Sequence, residues 1–164
     1  LLARLDQSRE MEKDPVDLNT LVKEAVASAQ AAGPNHPISL SLPMEDLFVL
    51  GDSHRIHQVI ANLLANARTH TPEGTPIAIA LSHSGSEITI AVSDQGPGLT
   101  KEDQERIFER FFRADPSRVR NGGEGSGLGL SIVDAVMKAH GGRVTVDSEL
   151  GKGATFTLYF PITQ

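Results

Sequence analysis

A chain of 164 residues, set against an ordinary domain of about 150, leaves room for one globular domain and a short appendage. Its 39% apolar and 22% charged content is that of a folding chain, and 15 basic against 21 acidic residues give a formal charge of −6 that disfavours nucleic acid as a partner. The absence of cysteine excludes disulfides, zinc-thiolate sites and thiol nucleophiles; with no apolar run near the roughly 20 residues that span a bilayer, the chain is expected to be a soluble, cytoplasmic piece of a longer protein.

Residues 1–13 read as the severed end of a charged helix, with Leu1, Leu5 and Ser8 on one face. Asp14-Pro15 breaks it, and Asp17 is a candidate N-cap for a helix over 18–32, where Leu18, Leu21, Val22, Ala25, Val26 and Ala29 recur at helical spacing before Gly33-Pro34. Residues 38–42 and 47–50 read as two short strands joined by a turn around Pro43. Asp52 or Ser53 can cap a long helix to His70 along the stripe Ile56, Val59, Ile60, Leu63, Leu64 and Ala67. Residues 77–82 and 87–94 alternate across His83-Ser84-Gly85-Ser86, a hairpin signal, and both of its faces are apolar enough to predict a central place in a sheet covered by helices. A short helix over 101–111 is followed by a polar, glycine-rich stretch, 114–126, whose composition predicts mobility. Residues 128–140 read as a helix with Leu130, Val133, Val136 and Met137 inward and Gly141-Gly142 at its C-terminus. A last hairpin, 143–148 and 155–160, turns at Leu150-Gly151-Lys152-Gly153. Helices followed by hairpins predict a two-layer α/β sandwich: a mixed, mainly antiparallel sheet of about five strands under about three helices.

Three segments carry chemistry. Asn62 and Asn66 lie four apart on one side of the long helix, with Gln58 one turn earlier, and amide oxygens suit a Mg²⁺ ion that also takes phosphate oxygens. Asp94-Gln95-Gly96-Pro97-Gly98 presents a carboxylate at a strand end, able to accept from an amino group, with glycines that allow close backbone approach. Gly125-Ser126-Gly127-Leu128-Gly129-Leu130 opens a helix with bare amides suited to phosphate, although no strand leads into it and no Lys-Ser or Lys-Thr follows. Taken singly, each also fits a bland reading: a solvated polar face, an Asp-initiated turn, a hinge. His54 and His57 lack the companions of a zinc site and read as solvated surface.

In their order and spacing these segments resemble the catalytic ATP-binding domain of bacterial sensor histidine kinases, within the ATP-binding fold shared with gyrase, a chaperone class and mismatch-repair proteins. Residues 57–67 look like the N box, 94–98 like the first glycine box, 107–113 like the F box, 125–130 like the second glycine box, and Gly151 to Phe156 completes the set.

The resemblance implies that Asp94, with Gly96 and Gly98, accepts from the adenine amino group, and that Asn62 and Asn66 hold Mg²⁺ against the triphosphate of ATP. It further implies that His70 lies near the adenine and that Arg113 approaches the γ-phosphate, with Asn62 and Arg113 serving catalysis. Gly125, Gly127, Leu128, Gly129 and Thr155 would complete the nucleotide site, and 114–126 would form its lid. Thr69 stands where many members carry Lys or Arg, so the neighbouring Arg68 is the candidate replacement. Gln58 occupies the position of a glutamate base in hydrolytic members, which argues for a histidine acceptor over self-contained hydrolysis. No histidine here is followed by an acidic residue, so the acceptor is expected on a separate dimerisation domain, of which 1–14 is the trailing end and linker and 15–164 the kinase domain. A response regulator is the implied recipient, the parent is expected to be a membrane-anchored homodimer, and this piece a monomer. The competing readings are a gyrase-type ATPase module and a nonenzymatic nucleotide-binding pseudokinase.

Overall fold

The computed structural model describes residue 11, residues 13–109 and residues 129–162. In chain order these form β1 (Asp14–Asp17), α1 (Leu18–Ala32), β2 (Ile38–Ser41), β3 (Phe48–Gly51), α2 (Ser53–Thr69), β4 (Ile77–Ser84), β5 (Glu87–Asp94), α3 (Lys101–Arg106), α4 (Gly129–Ala139), β6 (Arg143–Ser148) and β7 (Ala154–Pro161).

The main sheet has five strands in the order β2-β4-β5-β7-β6, with β2 parallel to β4 and every other pair antiparallel. Period-two alternation decides its buried face. Ile77, Ile79 and Leu81 of β4, Ile88, Ile90 and Val92 of β5, and Phe156, Leu158 and Phe160 of β7 are buried, and the register aligns them across the strands. The other face carries small or hydroxyl-bearing residues such as Thr89, Ala91 and Thr157, which stay half-buried. The apolar stripes of α1, α2 and α4 complete the same core with Leu18, Val22, Ile56, Ile60, Leu63, Val133 and Met137. The expected sandwich and the central place of the 77–94 hairpin both hold, with α3 as a fourth, short helix.

Two local readings differ from the structure. Residues 38–42 and 47–50 are not partners: β2 lies beside β4, whereas β3 pairs antiparallel with β1 in a separate two-stranded sheet. The Asp14-Pro15 signal, read as a helix break, is the start of the strand that β3 needed. Asn19 fastens the connection, accepting from Leu47 N at 2.9 Å and donating to Glu45 O at 3.2 Å, so the chain between the strands is held by α1. The helix expected over 101–111 ends at Arg106. Its start is capped by Thr100, whose Oγ1 accepts from Asp103 N. A turn from Glu109 N to Arg106 O then sends Ile107 into the core and lets Phe108 pack edge-on against Phe156, ring centroids 6.1 Å apart. That i to i−3 turn takes the place of the next α-helical hydrogen bond, and the helix ends there.

The caps of the long helices agree with expectation. Asp17 accepts from Thr20 N, and Asp52, the first of the two candidates, accepts from Arg55 N at 3.2 Å. Helix α2 runs to Thr69, with His70 as its C-cap.

Candidate functional site

Helix α2 supplies one wall. Asn62, Asn66 and His70 follow one another at four-residue spacing, so their side chains share a stripe beside the buried Ile56, Ile60 and Leu63 stripe. From Asn62 to His70 that stripe rises about 12 Å. Asn62 Nδ2 donates to Gly129 O at 3.2 Å, which joins the stripe to the first residue of α4 and leaves the amide oxygen as the group Asn62 can present to a cation. At the other end, His70 turns Nδ1 to Asn66 O at 2.9 Å, and its ring is exposed.

The second wall is the loop after β5. Asp94 Oδ1 accepts from Gly96 N at 2.9 Å, closing a tight Asx turn that holds the carboxylate at the strand end. Burial pushes the Asp94 carboxyl above its ordinary range, against the opposite pull of the Gly96 and Ala154 amides and of the nearby His70. A Cβ on Gly96 would lie 2.5 Å from Thr71 Cγ2 and 3.5 Å from His70 O, so glycine is what lets this loop meet the end of α2. His70, Thr71, Gly96 and Pro97 accordingly share the wall of a cavity of about 960 Å³, which extends past Arg68 to Gly33 and His36. Thr71 is itself buried and gives its hydroxyl to Ala67 O at 2.8 Å; a Thr four residues after a buried helical Ala was the signal for it, and sequence reading passed it over.

Several candidates sit elsewhere than expected. Gly98, at φ +78°, is needed for contact with the β6–β7 turn: a Cβ there would fall 2.3 Å from Glu149 O, and Gly151 N donates to Pro97 O at 2.8 Å beside it. Thr155 is also displaced from the site. In the β5–β7 register Asp94 pairs with Ala154, so alternation turns Thr155 to the opposite sheet face, where its hydroxyl lies 3.0 Å from Ser93 Oγ. The group β7 offers Asp94 is the Ala154 amide. Arg68 packs against the end of α1. Two residues beyond Asn66 it points about 200° around the helix, and a Cβ on Gly33 would lie 2.2 Å from Arg68 Cδ, at the end of α1. Thr69 itself gives its hydroxyl to Ala65 O at 2.7 Å. Gln58 is exposed one turn before Asn62. No group of three or more metal-ligating side chains occurs among the described residues; His54 is exposed and His57 half-buried. Arg113, Gly125, Gly127, Leu128 and the proposed lid 114–126 lie outside the described residues.

A carboxylate at a strand end, a ring beside it and a stripe of amides leading to a helix N-terminus is a layout for a base at one end and phosphates at the other. The comparisons with known proteins agree. Residues 51–164 match the histidine kinase-, DNA gyrase B- and HSP90-like ATPase family. The catalytic domain of histidine kinase ThkA superposes with a TM-score of 0.80 at 30% identity, covering 94% of this chain and 100% of that one.

This chain belongs to that ATPase family, as an ATP-binding catalytic domain of the sensor histidine kinase kind. It is 49% identical over 151 residues to the probable sensor histidine kinase TcrY of Mycobacterium tuberculosis, a match covering 92% of this chain and 32% of TcrY. Histidine kinase ThkA in complex with response regulator protein TrrA gives a TM-score of 0.79 at 28% identity, covering 99% of this chain and 46% of that one. The chain thus spans about a third of the length of TcrY. No helix among its described residues is long and apolar enough to cross a membrane.

Proposed function

We propose that this domain binds ATP with Mg²⁺ and gives the γ-phosphoryl group to a histidine on a dimerisation domain, for relay to an aspartate of a response regulator. The observation that carries the reading is the single stripe of α2 that joins Gly129, through Asn62 and Asn66, to His70 beside Asp94 and Gly96. Adenine would donate its amino group to Asp94, and His70 would lie along the ring. The triphosphate would run along the asparagine stripe towards the start of α4, with Arg113 reaching the γ-phosphate.

Mg²⁺ fits the donor set, because carboxamide oxygens are hard ligands and the Asn62 donor group is already committed to Gly129 O. Bound by Asn62 and Asn66, it would offset phosphate charge. The chain's own part is otherwise positioning: Asp94 fixes the base, and the α4 amides and Arg113 stabilise charge as it shifts to the leaving group. The acceptor imidazole forms a P–N bond as the bond between the β- and γ-phosphates breaks, and ADP leaves. Gln58 has no carboxylate with which to activate water, which favours this transfer over hydrolysis.

Residues 1–14 would be the end of the dimerisation hairpin and its linker, the parent a membrane-anchored homodimer with this domain in the cytoplasm, and the isolated domain a monomer. The ThkA–TrrA complex supports a response regulator as the final recipient. Calorimetric titration with ATP, with and without Mg²⁺, followed by incubation with a separately supplied dimerisation domain, tests the reading. Magnesium-dependent binding and phosphohistidine on the supplied domain alone are expected. Phosphohistidine on this chain, or folded protein that binds no ATP, overturns it.

A further inference from the structure

Helix α4 is fastened to α2 at both ends. Asn62 holds Gly129 at the start; at the far end the residue after Ala139, His140, accepts from Asp52 N through Nε2 at 3.1 Å. Because the amide is the donor, Nε2 carries no proton, and the ring's N–H is Nδ1, which donates to Val136 O at 2.8 Å. The imidazole is buried, edge-on to Phe160 at 6.4 Å, in a slot that exists because residue 51 is glycine: a Cβ there would lie 2.6 Å from its Cδ2 and 2.8 Å from its Nε2. Asp52 is also the N-cap of α2. The two helices therefore run antiparallel, 129 beside 62 and 140 beside 52.

Between the ties the contact is apolar, Val133, Val136 and Met137 against the α2 stripe, and apolar contact is not directional. The hydrogen bonds at the ends are directional. A helix of 11 residues is a rod of about 16 Å, so an anchor at its C-terminal end fixes where its N-terminal end stands. We propose that His140 is a positioning residue for the nucleotide. By holding the end of α4 on the Asp52 amide, it sets the axial position of α4 along α2, and with it the distance from the α4 N-terminus to the phosphates. The proposal rests on the nucleotide reading above and adds a residue about one helix length from the ligand.

A residue that only stabilises the fold would affect every ligand alike, whereas this one acts on phosphates and not on the base. The test compares affinities for ATP and adenosine by calorimetry, in wild type and variants shown to be folded by circular dichroism. His140→Leu, which removes the acceptor for Asp52 N–H, should weaken ATP at least 10-fold and adenosine less than 2-fold. His140→Gln, whose amide oxygen can reach the same N–H, should restore most of the ATP affinity. Should the leucine variant fail to fold, His140→Asn, too short to reach Asp52, carries the same expectation. Equal weakening of both ligands, or an unchanged ATP affinity, overturns the proposal while leaving nucleotide binding intact. A folded wild-type protein that binds neither ligand overturns the nucleotide reading first.

Discussion

His70 and His140 each follow the last residue of a helix, and each turns Nδ1 back to the carbonyl four residues earlier, Asn66 O at 2.9 Å and Val136 O at 2.8 Å. Their surroundings separate them. The His140 ring is sealed between Gly51, Asp52 and Phe160, and its second nitrogen is spent on a backbone amide. The His70 ring is exposed beside the Asp94 loop. The same local cap thus serves as a bolt in one place and leaves an exposed ring beside a carboxylate loop in the other. What decides between them is the strand or loop packed opposite: the end of β3 brings Gly51, and the residue after it brings the Asp52 N–H, to His140, whereas β5 brings a carboxylate to His70.

The comparison breaks most visibly at the slot itself. Gly51→Ala sets a Cβ within 3.0 Å of both His140 and Ile56, and should lower stability by about 2–3 kcal/mol in denaturant unfolding. An unchanged midpoint would mean that the ring is not confined. On the other side, Asp94→Ala should cost ATP about 1.5–3 kcal/mol, roughly 10- to 150-fold in Kd, for loss of a charged acceptor. It should also change how stability depends on pH. The folded-state pKa of Asp94 is raised, so its favourable contribution is complete below the ordinary carboxylate range and is lost as pH rises through the raised value. An Asp94→Ala protein whose stability falls with rising pH through that range as steeply as wild type's contradicts that sign.

The same shift sharpens the contrast through pH. A donor from adenine needs the ionised carboxylate, so ATP affinity should fall as pH drops through the raised Asp94 pKa, at a pH above the usual carboxylate range. Asp94→Asn should lack this limb, and a limb that persists would belong to another group. The smallest effect is expected for His70→Ala: a stability change within about 0.5 kcal/mol, as for an exposed residue, and a several-fold loss of ATP affinity from about 0.5–1.5 kcal/mol of ring contact. His140→Ala in the same assay should destabilise by about 1–3 kcal/mol, because the part-buried Asp52 amide loses its imidazole acceptor.

Sequence carried the long helices, the two hairpins and the sheet, because each rests on a periodicity that local sequence displays. It also displayed the placement of Asn62, Asn66 and His70 along one helix face and of Asp94 at a strand end. Thr155 was misjudged because its fate depends on register: pairing Asp94 with Ala154 turns its neighbour away. That Arg68 packs at the end of α1 follows from its helical phase, two residues beyond Asn66, and not from its place beside Thr69 in the chain. The β1–β3 pairing escaped notice because two four-residue strands far apart in the chain carry no local sign of each other. His140 read as the end of a helix, since its partner at Asp52 lies 88 residues away.

The contact between Gly98 and the β6–β7 turn bears on where this chain can be cut. The exposed Leu150-Gly151 turn looks like a natural opening for a circular permutant or an inserted reporter domain. Yet its Gly151 amide holds Pro97 O and its Glu149 carbonyl packs on Gly98, so new termini there would slacken the loop that carries Asp94. The β4–β5 turn at Gly85, with no described atom within 4 Å of a Cβ built there, is the hairpin end that can be opened without touching the Asp94 loop.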